Sequence, residues 1–186
     1  VGSEMCIRDR SAFVTELAAA AYSVDVVVNC AGMLGHGPFL ATDADEWPKV
    51  WELNVQATMR LSQAIARGMR DRGSGHIVIV TSILAGKVYR FTLPYAATKH
   101  ALRAIRTGLR MELAEFGIKV TEVAPGLTDT PILRSFENDD AAADYDARAY
   151  QALDAQDVAL TIFRVTLSGP NACPELVEVH PLGQIE

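Results

Sequence analysis

Residues Val78–Lys99 read VIVTSILAGKVYRFTLPYAATK. The apolar run predicts a strand that ends at Ser82, and Pro94-Tyr95 predicts the first turn of a helix, where a proline fits because its missing N–H has no partner there anyway. Tyr95 and Lys99 are four apart, so a helix places both on one face and brings the ammonium beside the phenol. A neighbouring cation is expected to lower the phenol from its ordinary value of about 10 and to let it exchange a proton nearer neutral pH. Ser82, thirteen residues earlier, can fold back against the helix start, so that both hydroxyls hold one carbonyl oxygen.

Working upstream, Gly73-Ser74-Gly75 ends a long helix that begins after Asp43 or Asp45, either of which can cap it. On that helix Trp47, Trp51, Val55, Met59 and Ile65 or Ala66 form an apolar stripe, read as packing. Asn54 stands out, since a helix interior gains nothing from an asparagine; its amide either bonds neighbouring backbone or holds a water beside Lys99. Before the helix, Asp25–Cys30 (DVVVNC) has the β-branched pattern of a strand buried on both faces of a parallel sheet. The glycines of the following loop, Gly32 to Pro38, match no phosphate-binding pattern, which makes it a substrate-side loop. Ser11–Tyr22 reads as an amphipathic helix with Phe13 and Leu17 inward. Val1–Arg10 has no periodicity and is either a non-native leader or a frayed natural terminus.

Downstream, Ile83–Leu93 is the expected active-site loop, with Tyr89 and Phe91 as candidate walls. The helix from Pro94 to about Phe116 places Leu102, Ile105, Leu109 and Leu113 on one side and closes at Gly117. Ile118–Ala124 (IKVTEVA) gives a third strand, and it delivers Pro125-Gly126 to the same sheet edge as Ser82. From Leu127 to Tyr150 the hydrophobic period is lost, so this stretch is a lid over the substrate or a solvated acidic loop. A last helix over Asp154–Leu167 and a short strand over Glu175–His180 complete the chain. Strands alternating with helices specify an α/β fold, a three-layer doubly wound parallel sheet of Rossmann type. Residues 11–186 read as one domain.

Ser82 with Tyr95-Ala96-Ala97-Thr98-Lys99 resembles the Ser and Tyr-x-x-x-Lys signature of the classical short-chain dehydrogenase/reductase family. Asn29-Cys30-Ala31-Gly32 is similar to that family's Asn-Asn-Ala-Gly element, Asn54 to its catalytic asparagine, and Pro125-Gly126-Leu127-Thr128-Asp129-Thr130 to its Pro-Gly-x-x-x-Thr segment. The resemblance implies that Tyr95 is the acid/base, Ser82 polarises the carbonyl, Lys99 tunes Tyr95 and binds the nicotinamide ribose, and Asn54 anchors a proton-relay water. It also implies contacts from Asn29, Ala31, Gly32, Tyr95, Lys99, Pro125, Gly126, Thr128 and Thr130 to NAD or NADP, and an alcohol or carbonyl compound as substrate. The C-terminal ELVEVHPLGQ faintly resembles relatives that act on small 3-hydroxy acids and similar alcohols. The helices over residues 46–72 and 94–116 correspond to those that pair between subunits in the family, implying a homodimer or homotetramer. Family members open on a strand and a Gly-rich turn that hold the cofactor pyrophosphate, and no such segment stands here. The expectation is a fold incomplete at its N-terminal side, starting just before the fourth strand, that binds the cofactor weakly or not at all. The alternative to an active enzyme is a non-catalytic fragment or assembly domain.

Composition narrows the field. With 49% hydrophobic residues over 186 positions the chain can bury a sizeable core, and a net charge of −6 argues against nucleic acid as a partner. The 3 cysteines are widely spaced and match neither disulfide nor zinc patterns, so no metal is expected and a reducing, cytoplasmic setting is. Glu16 and Asp25 interrupt the longest apolar run below the roughly 18 residues of a membrane span.

Overall fold

The computed structural model describes residues 23–134 and 151–185. The predicted leader Val1–Arg10, the predicted helix Ser11–Tyr22 and positions 135–150 of the expected lid lie outside the described residues. In chain order the elements are β1 (Val26–Asn29), α1 (Trp47–Trp51), α2 (Ala57–Arg72), β2 (Gly75–Val80), α3 (Leu93–Leu113), β3 (Ile118–Pro125), β4 (Thr128–Asp129), β5 (Leu153–Asp154), α4 (Ala155–Thr166) and β6 (Leu176–Val179). A parallel sheet of order β1-β2-β3-β6 forms the centre.

The side-chain period of 2 sorts the sheet's faces. Ile77, Ile79, Ile118 and Val120 point to one face and pack with Ile65, Ala66 and Met69 of α2 and Leu102 of α3. Val78 and Val123 point to the other and meet Val165 of α4. Helices therefore cover both faces, the three-layer arrangement expected from the alternating pattern. Gly73 ends α2 with φ 72°, and Gly117 follows α3 and its last 3₁₀ turn with φ 70°. At Gly117 a Cβ would stand 2.4 Å from the Gly73 carbonyl oxygen, so the two helix ends touch only because Gly117 carries no side chain.

Two expectations change. Val26 and Val28 are each 39% exposed, so β1 is not buried on both faces; among the described residues no strand pairs with its outer edge and no helix covers those valines. The long helix over residues 46–72 is interrupted by a π-helical turn, Glu52–Gln56. An inserted residue per turn shifts the phase of the apolar face. Val50, Leu53, Val55, Ile65 and Met69 are buried, whereas Trp51 and Met59 of the predicted stripe face outward.

Candidate active site

Ser82 follows β2 at the carboxyl end of the sheet, where α/β folds place ligands. Its Oγ accepts from Leu84 N at 3.1 Å and so caps a 3₁₀ turn, Ile83–Ala85, which fixes the hydroxyl's direction. Thr92 and Pro94 start α3 and place Tyr95 in its first turn, on the same cavity wall as Ser82. One turn on, Lys99 is buried; its Nζ donates to the Val80 carbonyl oxygen at 3.1 Å and stands 5.3 Å from the centre of the Tyr95 ring. The serine, tyrosine and lysine expected from the sequence thus converge on one point.

Asn54 occupies the middle of the π turn and is 0% exposed. Its Oδ1 accepts from Met33 N at 2.8 Å, and its Nδ2 donates to the Met33 carbonyl at 3.0 Å and to Thr98 Oγ1 at 3.0 Å. Thr98 in turn donates to the Tyr95 carbonyl at 2.7 Å. Both amide protons are committed, so the side chain clamps the loop after β1 to the helix that carries Tyr95. Of the two roles the sequence left open, backbone bonding is present, through Met33. Asn29 is likewise turned inward, with Nδ2 donating to Ser62 Oγ on α2 at 3.1 Å.

A cavity of about 420 Å³ opens above these groups. Of the residues singled out in the sequence, Gly32, Ser82, Tyr95, Lys99, Pro125, Gly126, Thr128 and Thr130 line it, while Asn29, Ala31 and Asn54 do not. Tyr89 forms part of the wall as expected. Phe91 does not; its backbone takes φ 67° and its ring lies under the Arg90 guanidinium, 4.5 Å away. Sequence reasoning missed the apolar side supplied by Leu34, Val158 and Ile162, and the histidine at position 36. It also missed Gln184, whose Oε1 accepts from Leu127 N at 3.2 Å and braces the Pro125-Gly126 turn. A Cβ at Gly126 would meet that oxygen at 2.3 Å, so only glycine admits the brace. The expected lid begins instead as ordered backbone, with Thr128–Asp129 paired to Leu153–Asp154 and a 3₁₀ turn over Pro131–Arg134.

Burial dominates the electrostatics. It pushes Tyr95 up to about 12; the neighbouring Ser82 hydroxyl opposes this, and Cys30 adds to it. Burial pulls Lys99 down to about 8, against the favourable charges of Cys30 and Glu122. The lowered phenol expected from the four-residue spacing is therefore not found in this geometry, because loss of water outweighs the cation. Below pH of about 8 Lys99 still carries its charge.

The short chain dehydrogenase family model matches residues 7–141. The chain belongs to the short-chain dehydrogenase family. An uncharacterized oxidoreductase of Staphylococcus aureus strain N315 is 33% identical over 159 residues, which is 86% of this chain and 65% of that protein. Among solved structures, serine dehydrogenase complexed with NADP+ superimposes with a TM-score of 0.82 at 27% identity, over 93% of this chain and 72% of the other. A gluconate 5-dehydrogenase from Burkholderia cenocepacia, in complex with NADP and tartrate, gives 0.78 at 26% identity, over 93% and 69%. This short-chain dehydrogenase chain thus spans a little under two thirds of the curated relative's length. Among its described residues no helix is long and apolar enough to cross a membrane, and no cluster of His, Cys, Asp and Glu has the make-up of a metal site.

Proposed function

We propose that this protein is an NAD(P)-dependent oxidoreductase that interconverts an alcohol and a ketone or aldehyde, with Tyr95 as acid/base. The convergence of Tyr95, Ser82 and Lys99 on the wall of one cavity carries this reading. In carbonyl reduction the two hydroxyls hold the substrate oxygen, and Tyr95 gives it a proton as charge develops there. The phenolate left behind is stabilised by the Ser82 hydroxyl and the Lys99 ammonium, and its high resting pKa makes that support necessary. Oxidation of the alcohol runs the same steps in reverse.

The residues present fit a nicotinamide cofactor. Gly32 lines the cavity beside Lys99, and a Cβ there would stand 3.2 Å from Asn54 Oδ1 and 3.8 Å from Lys99 Nζ, so the glycine keeps the strand end close to both. Lys99 has donors left after its bond to Val80 and can serve a ribose; Tyr95 and the segment Pro125, Gly126, Thr128 and Thr130 would hold the nicotinamide end. Asn29 and Ala31 act through the strand end that presents Gly32. When bound, the cofactor supplies or accepts the hydride. Asn54 holds loop and helix in register, and the remaining lone pair of Oδ1 is where a relay water would bind.

A cytoplasmic homodimer or homotetramer, assembled through the helices over residues 46–72 and 94–116, completes the proposal. Trp51, Met59 and Met111 are exposed on those helices. The test is loss of NADPH or NADH absorbance with a panel of ketones and aldehydes, using protein expressed from its natural gene. Turnover abolished by Tyr95→Phe supports the reading; absence of turnover with every carbonyl and either cofactor favours the non-catalytic alternative.

A further inference from the structure

Glu122 is a carboxylate in a strand whose other residues, Lys119 apart, are buried, and it is 0% exposed. Its Oε1 accepts from Thr81 Oγ1 at 2.7 Å and from Arg103 Nε at 2.9 Å, and its Oε2 accepts from Arg106 Nε at 3.4 Å. Arg103 continues to Glu178 at 3.3 Å, and Arg106 to Glu175. A charge buried this deeply is weak evidence for stability, because its desolvation offsets most of the attraction. Its position suggests another use.

Thr81 immediately precedes Ser82, and its N–H is also held by the Val123 carbonyl at 2.9 Å. Arg103 lies one helical turn beyond Lys99 on the helix that carries Tyr95, and its Nη1 sits 2.6 Å from where a Cβ of Gly86 would be, just past the Ser82 turn. One carboxylate therefore grips both halves of the site, the strand end with Ser82 and the helix with Tyr95 and Lys99.

We propose that Glu122 is a positioning residue for the proton-transfer groups: it fixes Ser82 relative to Tyr95 and Lys99 through Thr81 and Arg103. The electrostatic direction agrees, since Glu122 is among the groups that hold Lys99 charged against burial. The charged and titratable groups around this centre are Lys99, Arg103 and Arg106 from α3, Glu175 and Glu178 beside β6, and Cys30 after β1. The catalytic half of the inference rests on the reading of Tyr95 and Lys99 given above, whereas the electrostatic half does not need turnover.

The experiment follows the ¹³C signal of the Lys99 side chain against pH in protein expressed from its natural gene, for wild type, Glu122→Gln, Glu122→Asp and Thr81→Val. Removing an opposite charge near an ammonium lowers its pKa, so Glu122→Gln is expected to lower the Lys99 midpoint by about half a pH unit or more. Glu122→Asp should recover most of that shift. Thr81→Val keeps the charge but frees the strand end, and is expected to leave the midpoint in place while lowering kcat several-fold at unchanged KM. A folded Glu122→Gln with the wild-type midpoint overturns the proposal. Should Glu122→Gln not fold, Glu122→Asp with a wild-type midpoint together with Thr81→Val at full kcat overturns it instead. A shifted midpoint in a protein that turns over no carbonyl would contradict the oxidoreductase reading while sustaining the role of Glu122 toward Lys99.

Discussion

The Lys99 ammonium donates to the Val80 carbonyl oxygen at 3.1 Å and thereby ties α3 to the strand that delivers Ser82. Because burial takes its side chain out of water, Lys99 is a weaker base than a surface lysine. Its folded pKa of about 8 lies below its ordinary 10.5, so the folded state releases this proton first as pH rises. The Lys99 side-chain signal should titrate with a midpoint near 8. A midpoint at the surface-lysine value would show that water reaches the ammonium freely. In turnover, Lys99→Met should move efficient alcohol oxidation to higher pH, because the phenolate loses its cation; an unchanged profile would leave Lys99 with ribose binding alone.

Asn54→Ala should destabilise the protein by about 2 kcal/mol, since it leaves the buried Met33 N–H and carbonyl without their partner. Urea unfolding measures this. A loss near zero would mean that the loop after β1 holds its position unaided.

Much of this site was legible because its parts sit in short local patterns. Ser82 ends a continuous apolar run, and Tyr95 and Lys99 share a helix face behind Pro94, so spacing alone brings two of them together. The π turn was not legible: nothing in Glu52–Gln56 marks an extra residue, and the outward turn of Trp51 and Met59 follows from tertiary packing. Gln184 was hidden for a different reason. Its contact with Leu127 spans 57 residues, and no periodicity encodes such a separation. Glu122 did leave a signal, the one carboxylate inside IKVTEVA, but only the fold shows which arginines meet it. The phenol's shift was misjudged because a spacing gives the distance to a cation and says nothing of how much water is lost.

His76 is 5% exposed, and its Nε2 lies 2.8 Å from Thr121 Oγ1. That hydroxyl spends its proton on the Pro174 carbonyl, so the imidazole is the donor in this pair. Burial, assisted by Lys119, lowers its pKa from 6.5 to about 4. The unfolded chain therefore binds this proton before the folded one, and stability conferred by the neutral ring is lost as pH falls from 6.5 toward about 4. The thermal midpoint should fall across that window in wild type and fall less in His76→Gln. Equal slopes in the two proteins would contradict the assignment.

Sedimentation at micromolar concentration should give a dimer or tetramer, with the outward apolar side chains of the two long helices in the interface. Trp51→Glu with Met111→Glu should dissociate it, because each would bury a carboxylate in an apolar contact. A wild-type monomer would rule the assembly out.

The most direct measurement of the central claim is the turnover of Tyr95→Phe. The substitution removes a single oxygen and leaves the helix, the Ser82 cap and the Lys99–Val80 bond intact. The variant should unfold at close to the wild-type temperature and lose roughly 10²–10⁴-fold in kcat, the usual contribution of an acid/base group. A folded Tyr95→Phe that reduces carbonyl compounds at near the wild-type rate would contradict the account, since the proton would then come from elsewhere.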